Sequence, residues 1–417
     1  VKLAAWRVAL RIARRDAMRA KGRSALVLAM IALPVLGVAG ADVVYRSAQL
    51  SPSEKATRLL GGADALISPV EQGTTVRQAP NPEEGFGVDS PKTGEKPTAE
   101  QLRSLAVAPS ALVGQLLPAG STLTVLSRGQ GAAATTRDGQ LVVQTAEADL
   151  ADPVWHGKIN LLHGRAPAGP QELAATQHFL DQAHLKVGDT TTLRGLEGKP
   201  FTVTAAVEYP GELATDQLIG RPGELLDPLA KAAAQAAGQA DQSAADVGRS
   251  GRDSWLVRLP AGSVLDWPKV MELGKYGVTA TSRSVLLDPP PRSQVPYYVQ
   301  YDQSGGDSLL QNTAVVVLAT VAGMALLEIV LLAGPAFAVG ARRSRRQLGL
   351  LAAGGGDRSH VRAVVLGGGA VLGLTGAALG VVLGIGLVAL LRPWAEGVSG
   401  GRFGHFAVQP LDPVSYT

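Results

Sequence analysis

Few residues in this chain are spaced for bond-making chemistry. Gly397-Val398-Ser399-Gly400-Gly401 spells the G-x-S-x-G of a nucleophile elbow. That device needs a strand before the serine and a helix after it, so that the hydroxyl stands at the tip of a sharp turn. Here an apolar run precedes Ser399, and Arg402 and Phe403 follow in a short glycine-rich stretch. His405 is near in sequence, but its order and spacing match no acyl-transfer triad, so a flexible loop is the better reading. Gly-Lys occurs at 157–158, 198–199 and 274–275, followed by Ile159, Pro200 and Tyr276, never by Ser or Thr, and no phosphate-cradling P-loop results. His178 and His184 are six apart, off a shared helical face, and H-E-x-x-H is absent, so no metal site is expected. The chain has no cysteine, which excludes disulfides, zinc-thiolate sites, iron–sulfur clusters and thiol catalysis. The expectation is a protein that is not an enzyme, with no catalytic residues and no bound cofactor.

Three other features carry physical work. Glu328 interrupts an otherwise uncharged run from Thr313 to Ala341. A carboxylate at mid-bilayer costs about 2.5–3.5 kcal/mol unless protonated or paired, so Glu328 is expected to face a helix bundle and hydrogen-bond a neighbour. Gly369, Gly373, Gly376, Gly380 and Gly384 form a small-xxx-small pattern in a second uncharged run, Ala363 to Leu391, where another helix can approach closely. Between those runs lies a segment that starts basic, with Arg342, Arg343, Arg345 and Arg346, and turns apolar at Leu348, Leu350 and Leu351 before Gly354-Gly355-Gly356 break it. A short exposed helix with an apolar face is a docking element for a partner.

The elements that must position these features are read from hydropathy and charge. The chain has 417 residues, 46% hydrophobic and 18% charged, with a mean hydropathy of +0.14. A third uncharged run, Ser24 to Ala41, is 18 residues long, roughly 27 Å as helix against a hydrocarbon core of about 30 Å. Three spans are therefore expected, at 24–45, 309–341 and 363–391. Residues 1–23 carry eight basic groups against Asp16, and residues 342–362 carry six against Asp357, whereas 24–340 hold 23 basic and 31 acidic groups. Short basic segments beside spans stay cytoplasmic, which places 1–23 and 342–362 inside and 46–308 outside. Residues 1–23 read as an amphipathic helix for the inner leaflet, with Leu3, Trp6, Leu10, Ala13 and Ala17 on one face. A cleaved signal peptide ending near Ala39-Gly40-Ala41 is the weaker alternative, because both the leader and the apolar run are long.

The outer stretch reads as mixed α and β. Alternation suggests strands at Ser121–Leu126, Gln140–Gln144, Thr190–Leu193 and Phe201–Val207. Helical spacing is assigned to Gln171–Leu185, a mobile loop to the proline-rich 72–100, and an exposed helix or linker to the Ala/Gln-rich 228–248.

Arg345-Arg346-Gln347-Leu348-Gly349-Leu350-Leu351-Ala352 resembles the signature of FtsX-like, MacB-type permeases of ABC transporters, in which a similar basic-to-apolar segment precedes a glycine-rich span. Gln347 stands where an acidic residue is frequent, and Gly354 and Gly356 stand where Leu and Ala are. The order Gly164-Arg165-Ala166-Pro167, Glu172-Leu173-Ala174, Val187-Gly188-Asp189-Thr190 and Phe201-Thr202-Val203 is similar to that family's extracytoplasmic core. The resemblance covers about 1–60, 155–210 and 310–400. It implies an α-helical membrane protein with an α+β extracytoplasmic domain, in the bacterial cytoplasmic membrane with the N-terminus inside. It implies a cytosolic ABC ATPase subunit that binds nucleotide and pushes on residues 345–352, a second permease unit, and an extracytoplasmic protein or lipophilic substrate. Nucleic acid is not an expected partner. A fourth span, usual in the family, would lie beyond Thr417, and 392–417 would be an outer loop of a longer permease. The alternative is a membrane-anchored sensor or scaffold that regulates an outer partner without transport.

Overall fold

The computed structural model describes residues 21–91, 94, 96–236, 253–300 and 358–406, with isolated positions at 15, 316, 320, 323, 324, 327 and 331. The chain divides into two compact units, one of Val1–Gln49, Gly305–Ala395 and Phe403–Thr417, the other of Leu50–Ser304 and Glu396–Arg402.

The first unit contains two long apolar helices, Lys21–Ala48 and most of Arg358–Ser399. Both hold stretches long and apolar enough to cross a bilayer, Ser24–Ala48 and Gly369–Ser399. Neither is amphipathic, and little of each apolar stretch is buried, as in lipid-facing helices. The second helix is 42 residues, or about 63 Å, and runs past both ends of the expected span. The expected span at 309–341 lies almost wholly outside the described residues; Val316, Thr320, Gly323, Met324, Leu327 and Leu331 are helical.

The second unit is α+β. Its strands are β1 (Ala65–Pro69), β2 (Thr75–Gln78), β3 (Phe86–Asp89), β4 (Thr122–Arg128), β5 (Ala132–Thr136), β6 (Gly139–Ala148), β7 (Asn160–Gly164), β8 (Glu172–Thr176), β9 (Thr190–Thr191), β10 (Phe201–Glu208), β11 (Gln217–Gly220), β12 (Asp253–Arg258) and β13 (Val278–Ser282). Eleven make one mixed sheet along the path β13-β1-β12-β4-β6-β11-β8-β10-β7, with β5 beside β6 and β9 beside β10. The pairs β8–β10 and β6–β11 are parallel, and the rest are antiparallel. Phe179, Leu180 and Ala183 of helix Gln177–Ala183 pack on Leu173, Ala175, Val203 and Leu218. Trp155, Ile159, Leu126 and Val207 belong to a second core cluster. Toward β13, Val270 and Leu273 of helix Trp267–Gly274 cover Ile67, Trp255 and Ala280.

The structure changes two of the expected elements. Helical periodicity over 171–185 holds only for Gln177–Ala183, because Glu172–Thr176 forms β8. That strand is hydrogen-bonded on both sides, to β10 and β11, and Leu173 to Thr176 are all buried, so an apolar run enclosed by a sheet outweighs its helix-like spacing. The expected loop 72–100 contains the hairpin β2–β3, whose turn carries Asn81 as a cap and whose open end is crossed by an ion pair between Arg77 and Asp89 (2.5 Å). The part of 228–248 that is described, 228–236, is most of helix Leu226–Ala236. Buried Glu147 fixes that helix start by accepting from the backbone N–H groups of Gly223, Leu225 and Leu226, at 2.7 Å each.

Candidate functional site

The docking segment Arg345, Arg346, Gln347, Leu348, Gly349, Leu350, Leu351 and Ala352, and the intramembrane Glu328, lie outside the described residues. The expected packing glycines are on the long helix. A Cβ built on Gly376 would stand 3.1 Å from Ile31, one on Gly380 would stand 2.6 Å from the Ala32 carbonyl oxygen, and one on Gly384 would stand 2.8 Å from that of Leu36. Nothing lies within 4 Å at Gly373. Contacts climb together, 31 with 376, 35 with 380 and 39 with 384, so the two helices run parallel and Lys21 and Arg358 begin at the same end. At the other end, Arg392 donates to the carbonyls of Phe403 (3.1 Å) and Gly404 (2.9 Å), and the Gly404 N–H donates to the Ser47 carbonyl (2.8 Å).

In the outer unit, the short motifs noticed in the sequence are parts of one corner of the sheet. Gly164 ends β7 at a φ of +84°, where a Cβ would stand 2.1 Å from the Thr204 carbonyl, so only glycine lets β7 close on β10. The next residue, Arg165, forms a two-pronged pair with Glu172 at the start of β8 (2.8 and 2.6 Å). Glu172 also accepts from the backbone of Ala168 (2.8 Å) and Gly169 (3.1 Å). Arg165 first, then those two N–H groups, hold its carboxyl down at about 2. Asp189 accepts from the Lys186 N–H (3.0 Å) and pairs with Arg137 (3.1 Å), while Gly188 and Val203 link the turn to β10 through the backbone. These interactions build the fold and leave no reactive group poised.

Lys158 is buried, with its ammonium donating to the Leu59 carbonyl (2.7 Å) at the end of helix Pro52–Leu60. Burial, aided by the cation of Arg128, pushes it down to about 8. Burial likewise raises the Tyr209 phenol, which donates to Gln217. His178 pairs with Asp216 at 2.7 Å and contacts Gln182, and Ser399 Oγ donates to the Glu396 (3.1 Å) and Gly401 (3.2 Å) carbonyls. Among the described residues, no three His, Asp or Glu side chains are grouped to hold a metal.

One charged constellation escaped the sequence reading. Arg402 Nε and Nη2 donate to the two carboxylate oxygens of Glu208 (3.2 and 2.7 Å), and its Nη1 donates to Glu396 (3.0 Å). In sequence these appear only as scattered charges, Glu396 and Arg402 six apart around glycines and Glu208 nearly 200 residues away. The one local signal was an opposite-charge pair, Glu396 and Arg402, flanking Gly397-Val398-Ser399-Gly400-Gly401 directly after an apolar run.

Residues 319–415 match the model of the FtsX-like permease C-terminal family. No curated protein matches. Among solved structures, the periplasmic region of MacB from Actinobacillus actinomycetemcomitans is 10% identical, with 54% of this chain and 91% of that chain covered at a TM-score of 0.31. The extracellular domain of the noncanonic ABC-type transporter YknZ from Gram-positive bacteria is also 10% identical, with 42% and 88% covered at a TM-score of 0.27.

Proposed function

We propose, from the premise that residues 319–415 are an FtsX-like permease C-terminal region, that this chain is the transmembrane subunit of an ABC transporter complex. The match over 319–415 carries the reading. A separate cytosolic ATPase closes on ATP and displaces the segment Arg345–Ala352; the spans follow, and the outer α+β domain changes shape. The subunit supplies no hydrolytic chemistry. Its work is to convert a push on one side of the bilayer into a displacement on the other, acting on an extracytoplasmic protein or lipophilic substrate, with two permease units around one ATPase dimer.

Several observations support this topology. The basic ends of the two described long helices begin together, in accord with 1–23 and 342–362 sharing the cytoplasmic side. The apolar face of Leu348 and Leu351 follows four arginines, as a docking stub at the membrane surface would. Leu348→Asp or Leu351→Asp is expected to abolish co-purification with the ATPase subunit while membrane insertion is retained. The chain purified free of that subunit is expected to hydrolyse no ATP. Unchanged pull-down by both variants would defeat docking at this segment, and robust hydrolysis by the isolated chain would defeat the whole reading.

A further inference from the structure

The long helix does not end where the bilayer-length run of apolar residues would allow. Its last turn, Glu396–Ser399, and the following Gly400–Arg402 belong to the outer unit. There the segment is held against the end of β10 and the loop after it by both backbone and side chains. The Arg402 N–H donates to the Pro210 carbonyl (2.7 Å), and the Leu213 N–H donates to the Gly400 carbonyl (2.7 Å). Gly401 lies against the backbone of Pro210 and Gly211, with its would-be Cβ 3.4 Å from the Gly211 oxygen. The Arg402 guanidinium then bridges Glu208, the last residue of β10, and Glu396 of the helix, whose side chains are only 11% and 6% exposed.

We propose that the Glu208–Arg402–Glu396 clasp is the joint through which displacement of the long helix reaches the outer sheet. The inference rests on the permease reading, which supplies the displacement. A fork-to-fork arginine–carboxylate pair fixes direction as well as distance, so it resists rotation in a way that one point-charge contact does not. Both carboxylates are shielded from water while the Arg402 guanidinium is 41% exposed, so solvent screens the clasp from the arginine side only. The receiving element is suited to the task. β10 is bonded to β7 on one side and β8 on the other, and also carries β9, so a pull on Glu208 is passed to three strands. Glu396 lies on the same helix, Arg358–Ser399, as the apolar stretch, one turn after Pro393, whose missing N–H loosens the helix at that point.

The absence of cysteine makes the test direct, because two introduced cysteines are the only labelling sites. Spin labels at exposed Gln140→Cys and Val382→Cys report the separation of the sheet from the long helix in the complex with its ATPase subunit, reconstituted in lipid. In the otherwise unaltered chain, ATP is expected to shift this distance. In Arg402→Gln the shift should fall below about half while ATP hydrolysis stays within about twofold, an uncoupling that a mere loss of assembly would not give. Glu208→Gln, nearly isosteric, should act in the same direction and serves if Arg402→Gln fails to fold; Arg402→Lys should restore part of the shift. A full shift in both Arg402→Gln and Glu208→Gln would overturn the clasp and leave the permease reading standing. No ATP-driven shift in the unaltered chain would overturn both.

Discussion

Gly380 meets the Ala32 carbonyl and the Val35 side chain across the helix seam and adds no side chain of its own, whereas in the outer unit Leu173 and Val203 fill the space between strands and helix with interlocking side chains. Both contacts are close, but they resist motion differently. Interdigitated side chains in a hydrogen-bonded sheet have one arrangement, and any shift opens cavities or forces off-rotamer conformations. A smooth glycine ridge presents little to unlock. Its attraction comes from backbone dispersion and weak Cα–H contacts, which change little when one helix slides or tilts past the other. A seam of this kind yields to displacement, and a sheet of this kind keeps its shape.

The largest expected effect breaks the seam. Ile31→Cys and Gly376→Cys would place two thiols where the built Cβ of Gly376 is 3.1 Å from the Ile31 Cβ, just short of the roughly 3.5–4.5 Å of a disulfide, so oxidation in membranes should cross-link them after a shift of a few tenths of an ångström. Adding Gly380→Leu inserts a branched side chain where even a Cβ has 2.6 Å to the Ala32 oxygen. Cross-linking should then fall by on the order of tenfold, because the helices must separate or rotate. The outer unit shares none of these contacts, and its urea unfolding should not change. An undiminished cross-link would show that the ridge is not the packing surface.

The two regions were not equally legible in the sequence. Two of the three apolar runs could be read as long helices because a bilayer demands uninterrupted apolar stretches. In the outer unit, Phe201–Val207 was legible as a strand, its β-branched residues agreeing with its place inside the sheet. Glu172–Thr176 was not, since a strand buried on both faces has no alternation to read and its neighbours β10 and β11 lie about 30 to 45 residues further along. The same limit hid the clasp: Arg402 is given meaning by Glu208, and only the fold brings them together.

A second, smaller effect sharpens the contrast from the sheet side, where buried charge can be titrated. Lys158 is held at about 8 against an ordinary 10.5, so the folded outer unit gives up this proton before the unfolded chain does. Between pH 8 and 10 the unfolded state binds more protons, and stability should rise with pH by about 2–3 kcal/mol. Tyr209 acts in the opposite sense, but only above its ordinary value of 10, where the unfolded chain loses a proton that the fold retains. Urea unfolding of the full chain in detergent, followed by tryptophan fluorescence, should show the rise, and Lys158→Met should flatten it. A rise that persists in Lys158→Met would assign it to another group.

The smallest effect lies at the acid end of the same unit. Glu172 is held at about 2 against an ordinary 4.5 by Arg165 and the Ala168 and Gly169 N–H groups. A depressed carboxylate contributes its stabilisation above the unfolded value of about 4.5 and loses it as pH falls toward 2. Arg165 is 60% exposed, so solvent screens the pair and its share is modest, weakening further as salt is added. Glu172→Gln should leave the helix-seam cross-link unchanged and lower the unfolding midpoint slightly at pH 7. It should also remove part of the loss of stability between pH 4.5 and 2. The Ala168 and Gly169 contacts persist in the amide to a lesser degree, so Glu172→Ala should lower the midpoint further than Glu172→Gln. Equal midpoints for the two variants would mean that the backbone contacts contribute nothing and that the corner is held by Arg165 alone.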